Sequence, residues 1–219
     1  MGRIRLEWSN IWAILGEHFN QVCCHTNLKV SFFALDSLRQ LASRFLEKEE
    51  LAHFKFQKDF LKPFEYAMIH NNNPDVRDMV SVWHACVDCA NLYSQILQCF
   101  RQMILARVNN LRSGWRTMFG VFSAASKVMA ERVASQAFDM VQDLNKEFFS
   151  QIIVSGSFAD LAVCITDFCK INKYQKISLH AIEMLKGLIP QMIACPECPL
   201  SRPAPKLAEG DAPPIDDPM

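Results

Sequence analysis

Apolar residues recur along this chain at i, i+3, i+4 and i+7, with polar residues between them. That spacing lays one apolar stripe along a helix of about 3.6 residues per turn. No alternating run persists long enough to make a strand. The pattern predicts helices near Leu6–Cys23, Lys29–Glu47, Phe56–His70, Pro74–Val108, Ser113–Ala125, Ala130–Gln151, Phe158–Asn172 and Gln175–Ala194. Asn73-Pro74-Asp75 reads as a helix start, with proline at the first helical position. Ser155-Gly156-Ser157 reads as a turn and cap. Glycine is rare, and seven of the ten prolines lie at or beyond Pro196. The chain therefore divides into a helical domain over 1–199 and a disordered Pro- and Asp-rich linker over 200–219.

Three of the predicted helices share an internal pattern. Val30, Ala34, Asp36 and Leu38 recur as Val133, Ala137, Asp139 and Val141, and again as Ile177, Ala181, Glu183 and Leu185. The small alanine permits close approach of a neighbouring helix. The last two copies lie 44 residues apart, a HEAT/armadillo-like period. The expected fold is all-α: a HEAT/armadillo-like α-solenoid of stacked antiparallel helix pairs. The alternative is an irregular helical bundle.

A fourth copy begins at Val76 and fails at Val80–Gln95, "VSVWHACVDCANLYSQ". Without those 16 residues, Val76, Ile96 and Phe100 fall at i, i+4 and i+8. Kept as continuous helix, they rotate everything downstream to about 160° out of phase, at ~100° per residue. The segment is expected to bulge out or to break the helix. It reads as an aberrant insertion, a translated intron. Val-Ser can be written GTGAGT, Gln95 can be CAG, and a CTAAC branch point fits across Ala90-Asn91-Leu92. RNA reads that consistently span the segment as exon would refute this.

Composition adds limits. The 219 residues fit one domain or one piece of a repeat array. Half are hydrophobic and 16 are Phe, enough for a sizeable core. The formal net charge is zero, which gives no global argument for nucleic acid or a membrane surface. No apolar run reaches the ~18 residues of a membrane span. The N-terminus reads as neither a signal peptide nor a myristoylation site. Nine cysteines, an odd number on apolar faces, read as reduced thiols. Cys99, Cys164 and Cys169 are expected to behave as small hydrophobes. Cys86 with Cys89 and Cys195 with Cys198 form two Cys-x-x-Cys pairs. They lie more than a hundred residues apart, too far for one small zinc module, so no metal is expected.

Two segments stand out. In His53–Met68, Phe54, Phe56, Phe60, Leu61 and Phe64 build an aromatic face, with Lys55, Lys58 and Lys62 around it. It is either a core helix with a solvated lysine edge or a surface for a partner helix or membrane. The second is Arg107–Ser126. Between Arg101 and Ala130 there are five basic residues and no acid. Arg107, Arg112 and Arg116 make a local positive patch, with Trp115 between the last two. One reading has the arginines capping helices and pairing with acids such as Asp78, with Trp115 inside. The other has the loop touching acidic lipid headgroups or an acidic protein. Five spread charges and one tryptophan are too few for a nucleic-acid surface. For catalysis nothing appears: no phosphate-binding loop, no nucleophile elbow, no zinc-protease motif and no dinucleotide fingerprint. No cofactor is expected, and His18, His25, His53, His70 and His180 look like helix-end or face residues.

These segments, with "IWAILGEHFNQV", "ALDSLRQLASRFLEKEEL" and "NNNPDVRDM", resemble the large Arf guanine-nucleotide exchange factors of the brefeldin A-inhibited (BIG/Sec-seven) class. The match is to their first homology-downstream (HDS) region, which follows the catalytic domain. It covers most of Leu6–Pro199 and rests above all on "FQKDFLKPFE" and on "RSGW" followed by "VF". The chain departs from the family at Val80–Gln95, and "DDPM" looks like the lead into a next helical region.

The resemblance implies a regulatory role. Family members open the Arf nucleotide site with an acidic finger on a separate exchange domain, which nothing in this chain matches. The chain is thus expected to be no enzyme, but a module that senses GTP-bound Arf and an anionic Golgi or trans-Golgi membrane from the cytoplasm. The other domains of the exchange factor are further expected partners. By analogy and physical inference, Lys55, Lys58, Lys62, Arg107, Arg112, Trp115 and Arg116 are the candidate contact residues. A trafficking scaffold without direct Arf binding is the second reading. A small enzyme or zinc protein is the third, separable by metal analysis.

Overall fold

A computed structural model describes residues 2–47, 56–70 and 82–198. The helices are α1 (Gly2–Cys23), α2 (Leu28–Leu46), α3 (Phe56–His70), α4 (Val82–Arg107), α5 (Gly114–Ala125), α6 (Glu131–Glu147), α7 (Phe149–Val154), α8 (Phe158–Cys169) and α9 (Gln175–Ala194). A single 3-10 turn, Val108–Asn110, joins α4 to α5. Among the described residues there is no strand.

The helices stack in two rows. α1, α3, α5 and α8 pack in succession along one, and α2, α4 and α6 along the other. α1 also packs on α2, and α9 closes on α8. This is the all-α repeat arrangement that the recurring pattern predicts. The repeat positions behave accordingly. Ala34, Ala137 and Ala181 are buried with Leu38, Val133, Val141 and Ile177, while Asp139 and Glu183 face solvent. Cys23, Cys99 and Cys164 are buried thiols. Burial pushes the first two up to about 12, and Cys164 upward as well.

Local chemistry sets the ends. The Asn27 side chain accepts a hydrogen bond from the Lys29 amide and caps α2. Gly156 takes φ 74° just after α7, where its amide reaches Ile153 O and that of Ser157 reaches Ile152 O. That is a glycine-closed C-terminus, the turn and cap expected there. The expected single helix Ala130–Gln151 is instead two. Phe148 leaves helical geometry at φ −125°, ψ 20°. This turns α7 so that Phe149 packs edge-on against Phe158.

The central contacts are aromatic. Trp115 stacks on Phe119, and the column continues through Phe122 and Phe100 to Phe64. It thus ties α5 to α4 and α3 and joins the two rows. α3 carries Pro63 inside it. Proline has no amide for the carbonyl four residues back. That carbonyl, Asp59 O, accepts from Trp12 Nε1 on α1 at 3.0 Å. The adjacent carbonyl, Lys58 O, accepts from Thr117 Oγ1 on α5 at 3.0 Å.

The segment expected to bulge or break does neither over Val82–Gln95, where α4 is continuous. Leu92 and Tyr93 are buried and share one stripe with Ile96, Phe100 and Met103. The phase of Ile96–Ile104 is extended backwards into the segment. The upstream side of the expected rotation, together with Asn73-Pro74-Asp75, lies outside the described residues, as does the linker.

Candidate functional site

Three of the predicted cations meet in one groove. Lys58 and Lys62 on α3 and Arg116 on α5 line a cavity of about 540 Å³ that α8 completes. The helical period explains the meeting. Lys58, Lys62 and Glu65 lie at i, i+4 and i+7 on α3, so they share a face. Arg116, Gly120 and Ser123 repeat that spacing on α5. α8 supplies Asp160 and the exposed Val163. The two main helices approach closely at Gly120, where a Cβ would stand 2.3 Å from Glu65 Oε1. The absent side chain is what lets Glu65 lie across α5.

The charges in this groove are largely answered. Lys62 pairs with Asp59 at 2.7 Å, and Arg116 faces Asp160 at 4.0 Å. Lys58 forms no ion pair among the described residues. Burial pushes the Glu65 carboxyl up from its ordinary value, against the pull of Lys62 and Arg116. At the far end, Ser123 Oγ donates to Asp167 Oδ2, and Lys170 and Lys127 stand 3.2 and 3.7 Å from that carboxylate. Burial opposes the Asp167 charge, yet the bonds from Ser123 and Lys170 hold its carboxyl below the ordinary range.

The other predicted contact residues go elsewhere. Arg107 pairs with Glu47 at 3.1 Å, beside the end of α2. Arg112 donates to Leu111 O at 2.9 Å. Lys55, Phe54 and Asp78 lie outside the described residues. Trp115 is a correction: it is 0% exposed and cannot touch a partner or a membrane. Its ring is a cornerstone of the aromatic column, where burial of a large apolar surface holds it. Phe60, Leu61 and Phe64 are likewise buried, so α3 is a core helix with a lysine edge.

Gln57 positions the groove and escaped the sequence reading, while Asn110, with Asn109 and Gly114, suits the turn that it joins. The Gln57 side chain is buried at the start of α3. Its Nε2 donates to Asn110 O at 2.8 Å, and its Oε1 accepts from the Arg112 and Gly114 amides. Asn110 Nδ2 donates in turn to Leu46 O, at the end of α2. This staple fixes the turn from which α5, and so Arg116, departs. Its signal is present in the sequence. Gln57 falls in phase with Phe60, Leu61 and Phe64, a polar residue where the stripe calls for an apolar one.

Among the described residues, no three His, Cys, Asp or Glu are grouped to hold a metal ion. None of the described helices is long and apolar enough to cross a membrane.

A family model described as Mon2/Sec7/BIG1-like HDS matches residues 44–89 and 81–143. Both sides of the groove's α3–α5 wall lie within that span. The chain is 45% identical over 193 residues to the ADP-ribosylation factor guanine nucleotide-exchange factor sec71 of Schizosaccharomyces pombe, covering 88% of this chain and 10% of that protein. It is 39% identical over 188 residues to the human brefeldin A-inhibited guanine nucleotide-exchange protein 1, covering 85% and 9%. It is 36% identical over 214 residues to the brefeldin A-inhibited guanine nucleotide-exchange protein 2 of Arabidopsis thaliana, covering 96% and 10%. The chain belongs to the HDS region of the brefeldin A-inhibited class of Arf guanine-nucleotide exchange factors. It spans about a tenth of the length of these relatives.

Proposed function

We propose that this chain is a non-catalytic regulatory module that senses GTP-bound Arf at an anionic Golgi membrane, with the α3–α5–α8 groove as the sensing surface. One observation carries the proposal. The two segments singled out in the sequence converge on this groove through Lys58, Lys62 and Arg116, with 58 positions separating the first from the last. An acidic protein surface or lipid headgroup would displace weak internal pairs: Lys62 and Arg116 are both more than half exposed, and such pairs contribute little in solvent. Lys58, half-buried, forms no ion pair among the described residues. The name of the sec71 relative supports the Arf side of the reading, since it is an ADP-ribosylation factor exchange factor, and the human relative is named as a guanine nucleotide-exchange protein. The family match falls on the HDS domain, which supports a module with no exchange activity of its own. The other domains of a longer exchange factor are natural partners of the same module.

The test is sedimentation of the purified 219-residue chain with anionic liposomes, with and without GTP-loaded lipidated Arf. The expected result is GTP-dependent recruitment that falls about tenfold or more in a Lys58→Glu, Lys62→Glu, Arg116→Glu variant. Stability should move by no more than about 1 kcal/mol, because these charges are surface ones. A folded parent chain that is not recruited moves the scaffold reading ahead.

A further inference from the structure

The second row carries a groove of another kind. α4 and α6 part along one side into two adjoining cavities of about 640 and 210 Å³, which share Arg101, Met140 and Asp143. The floor of the smaller cavity is apolar: Ile104, Met140 and Leu144 are buried there, and Phe148 is half-buried. Leu105 stands at the rim, 61% exposed. The α6 wall is acidic. Glu131, Asp139, Asp143 and Glu147 line it, and the last three, at intervals of four residues, lie within about 80° of one another at ~100° per residue. All four are exposed, and none joins an ion pair among the described residues. Two guanidinium groups also line the groove, Arg101 and Arg132, and Arg132 is engaged with Asn91 Oδ1 at 2.8 Å.

Four carboxylates against two cations, beside an exposed leucine and an apolar floor, define the chemistry of the occupant. An anionic lipid surface or a nucleic acid would be repelled by the acid row. A basic amphipathic helix satisfies both features at once. Its apolar stripe covers the floor, and its cations meet acids that have no internal partner. The length fits: Glu131 to Glu147 spans about 24 Å at ~1.5 Å per residue, the reach of a helix of about four turns.

We propose that the α4–α6 groove docks a basic amphipathic helix of a partner polypeptide, with its apolar face on Leu105 and Phe148 and its Lys or Arg residues against Asp139, Asp143 and Glu147. This surface is separate from the α3–α5–α8 groove, and neither proposal depends on the other.

The experiment is fluorescence anisotropy with the full chain and three labelled peptides of about 17 residues, a length set by the groove. One is a Leu/Lys amphipathic helix. The second has the same composition, scrambled to destroy the stripe. The third replaces Lys with Glu. The amphipathic basic peptide should bind about tenfold or more tightly than either control. Asp139→Lys with Asp143→Lys should weaken it about tenfold, and Leu105→Asp should do so as well. Glu183→Gln on α9 should leave it unchanged. All these side chains are exposed, so the variants leave the core intact. Equal binding of the scrambled peptide, indifference to both groove variants, or no binding of the basic helix would overturn the proposal.

Discussion

The groove between α3, α5 and α8 and the groove between α4 and α6 share the aromatic column that runs between them. They differ in what is left unanswered on their walls. In the first, opposite charges from three helices face one another, a carboxylate lies across a glycine, and a hydroxyl and two lysines surround Asp167. In the second, α6 presents four acids against two arginines, Arg101 and Arg132, and none of the four joins an ion pair among the described residues. Close approach explains the contrast. At Gly120 the missing Cβ lets the Glu65 side chain lie across α5, whereas α4 and α6 pack yet leave Leu105 in solvent. A wall of paired charges is a preformed surface that a ligand must compete to enter. A wall of unpaired acids invites one.

The most severe way to break this comparison is to remove what the two grooves have in common. Trp115→Ala should cost about 3–5 kcal/mol in urea unfolding, the range for deleting a buried large aromatic ring. Both binding activities should fall together, and Trp115→Phe should restore most of the loss. A Trp115→Ala chain as stable as its parent would show that the column is no common support.

A smaller effect should separate the two sides. Gln57→Ala leaves the Arg112 and Gly114 amides and Asn110 O without their side-chain partner. About 2–3 kcal/mol of stability should be lost, from unpaired buried polar groups. Recruitment to Arf-loaded liposomes should suffer more than basic-peptide binding, because the staple sets the start of α5 and touches nothing in α6. Equal loss at both would mean that the staple supports the whole fold rather than one wall.

The smallest effect is a pH dependence. Asp167→Asn should cost about 1 kcal/mol at neutral pH, the scale of a partly solvated charged hydrogen bond. The folded-state carboxyl is held below its ordinary value of 3.8. Its contribution is therefore present above that value and is lost as pH falls through the lower, folded one. Urea midpoints of parent and variant should thus differ at pH 7 and converge below about pH 4. A gap that persists undiminished in acid would assign the loss to packing instead of to the charge.

The helices were legible because an apolar stripe of period 3.6 is a local signal, and six of the eight expected segments correspond closely to what forms, while Ala130–Gln151 splits in two and the start of Pro74–Val108 lies outside the described residues. What the stripe does not encode is a change of direction. Phe148 is apolar and in phase, so nothing in the pattern announces that α6 ends there. The rotation expected across Val80–Gln95 is a relation between two sides, of which only the downstream one lies in the described residues; there Leu92 and Tyr93 continue the stripe of Ile96, Phe100 and Met103. The site was legible only in part. Lys58 and Lys62 share a face by spacing alone, but Asp160 meets Arg116 from 44 residues away, and no periodicity reports that. Trp115 between two arginines looked like a surface anchor because charge was read along the chain; around the helix, it points the other way.

Pro63 gives α3 a property that an ordinary helix lacks. Most helices close their own carbonyls and could exist, if only marginally, before they dock. Here two adjacent carbonyls, Asp59 O and Lys58 O, are closed by side chains from opposite neighbours, Trp12 on α1 and Thr117 on α5. Only the first is opened by the proline, since Lys58 O faces the Lys62 amide four residues on. α3 thus lacks one partner until α1 arrives, and a single imino acid couples these two helices, which form and melt together.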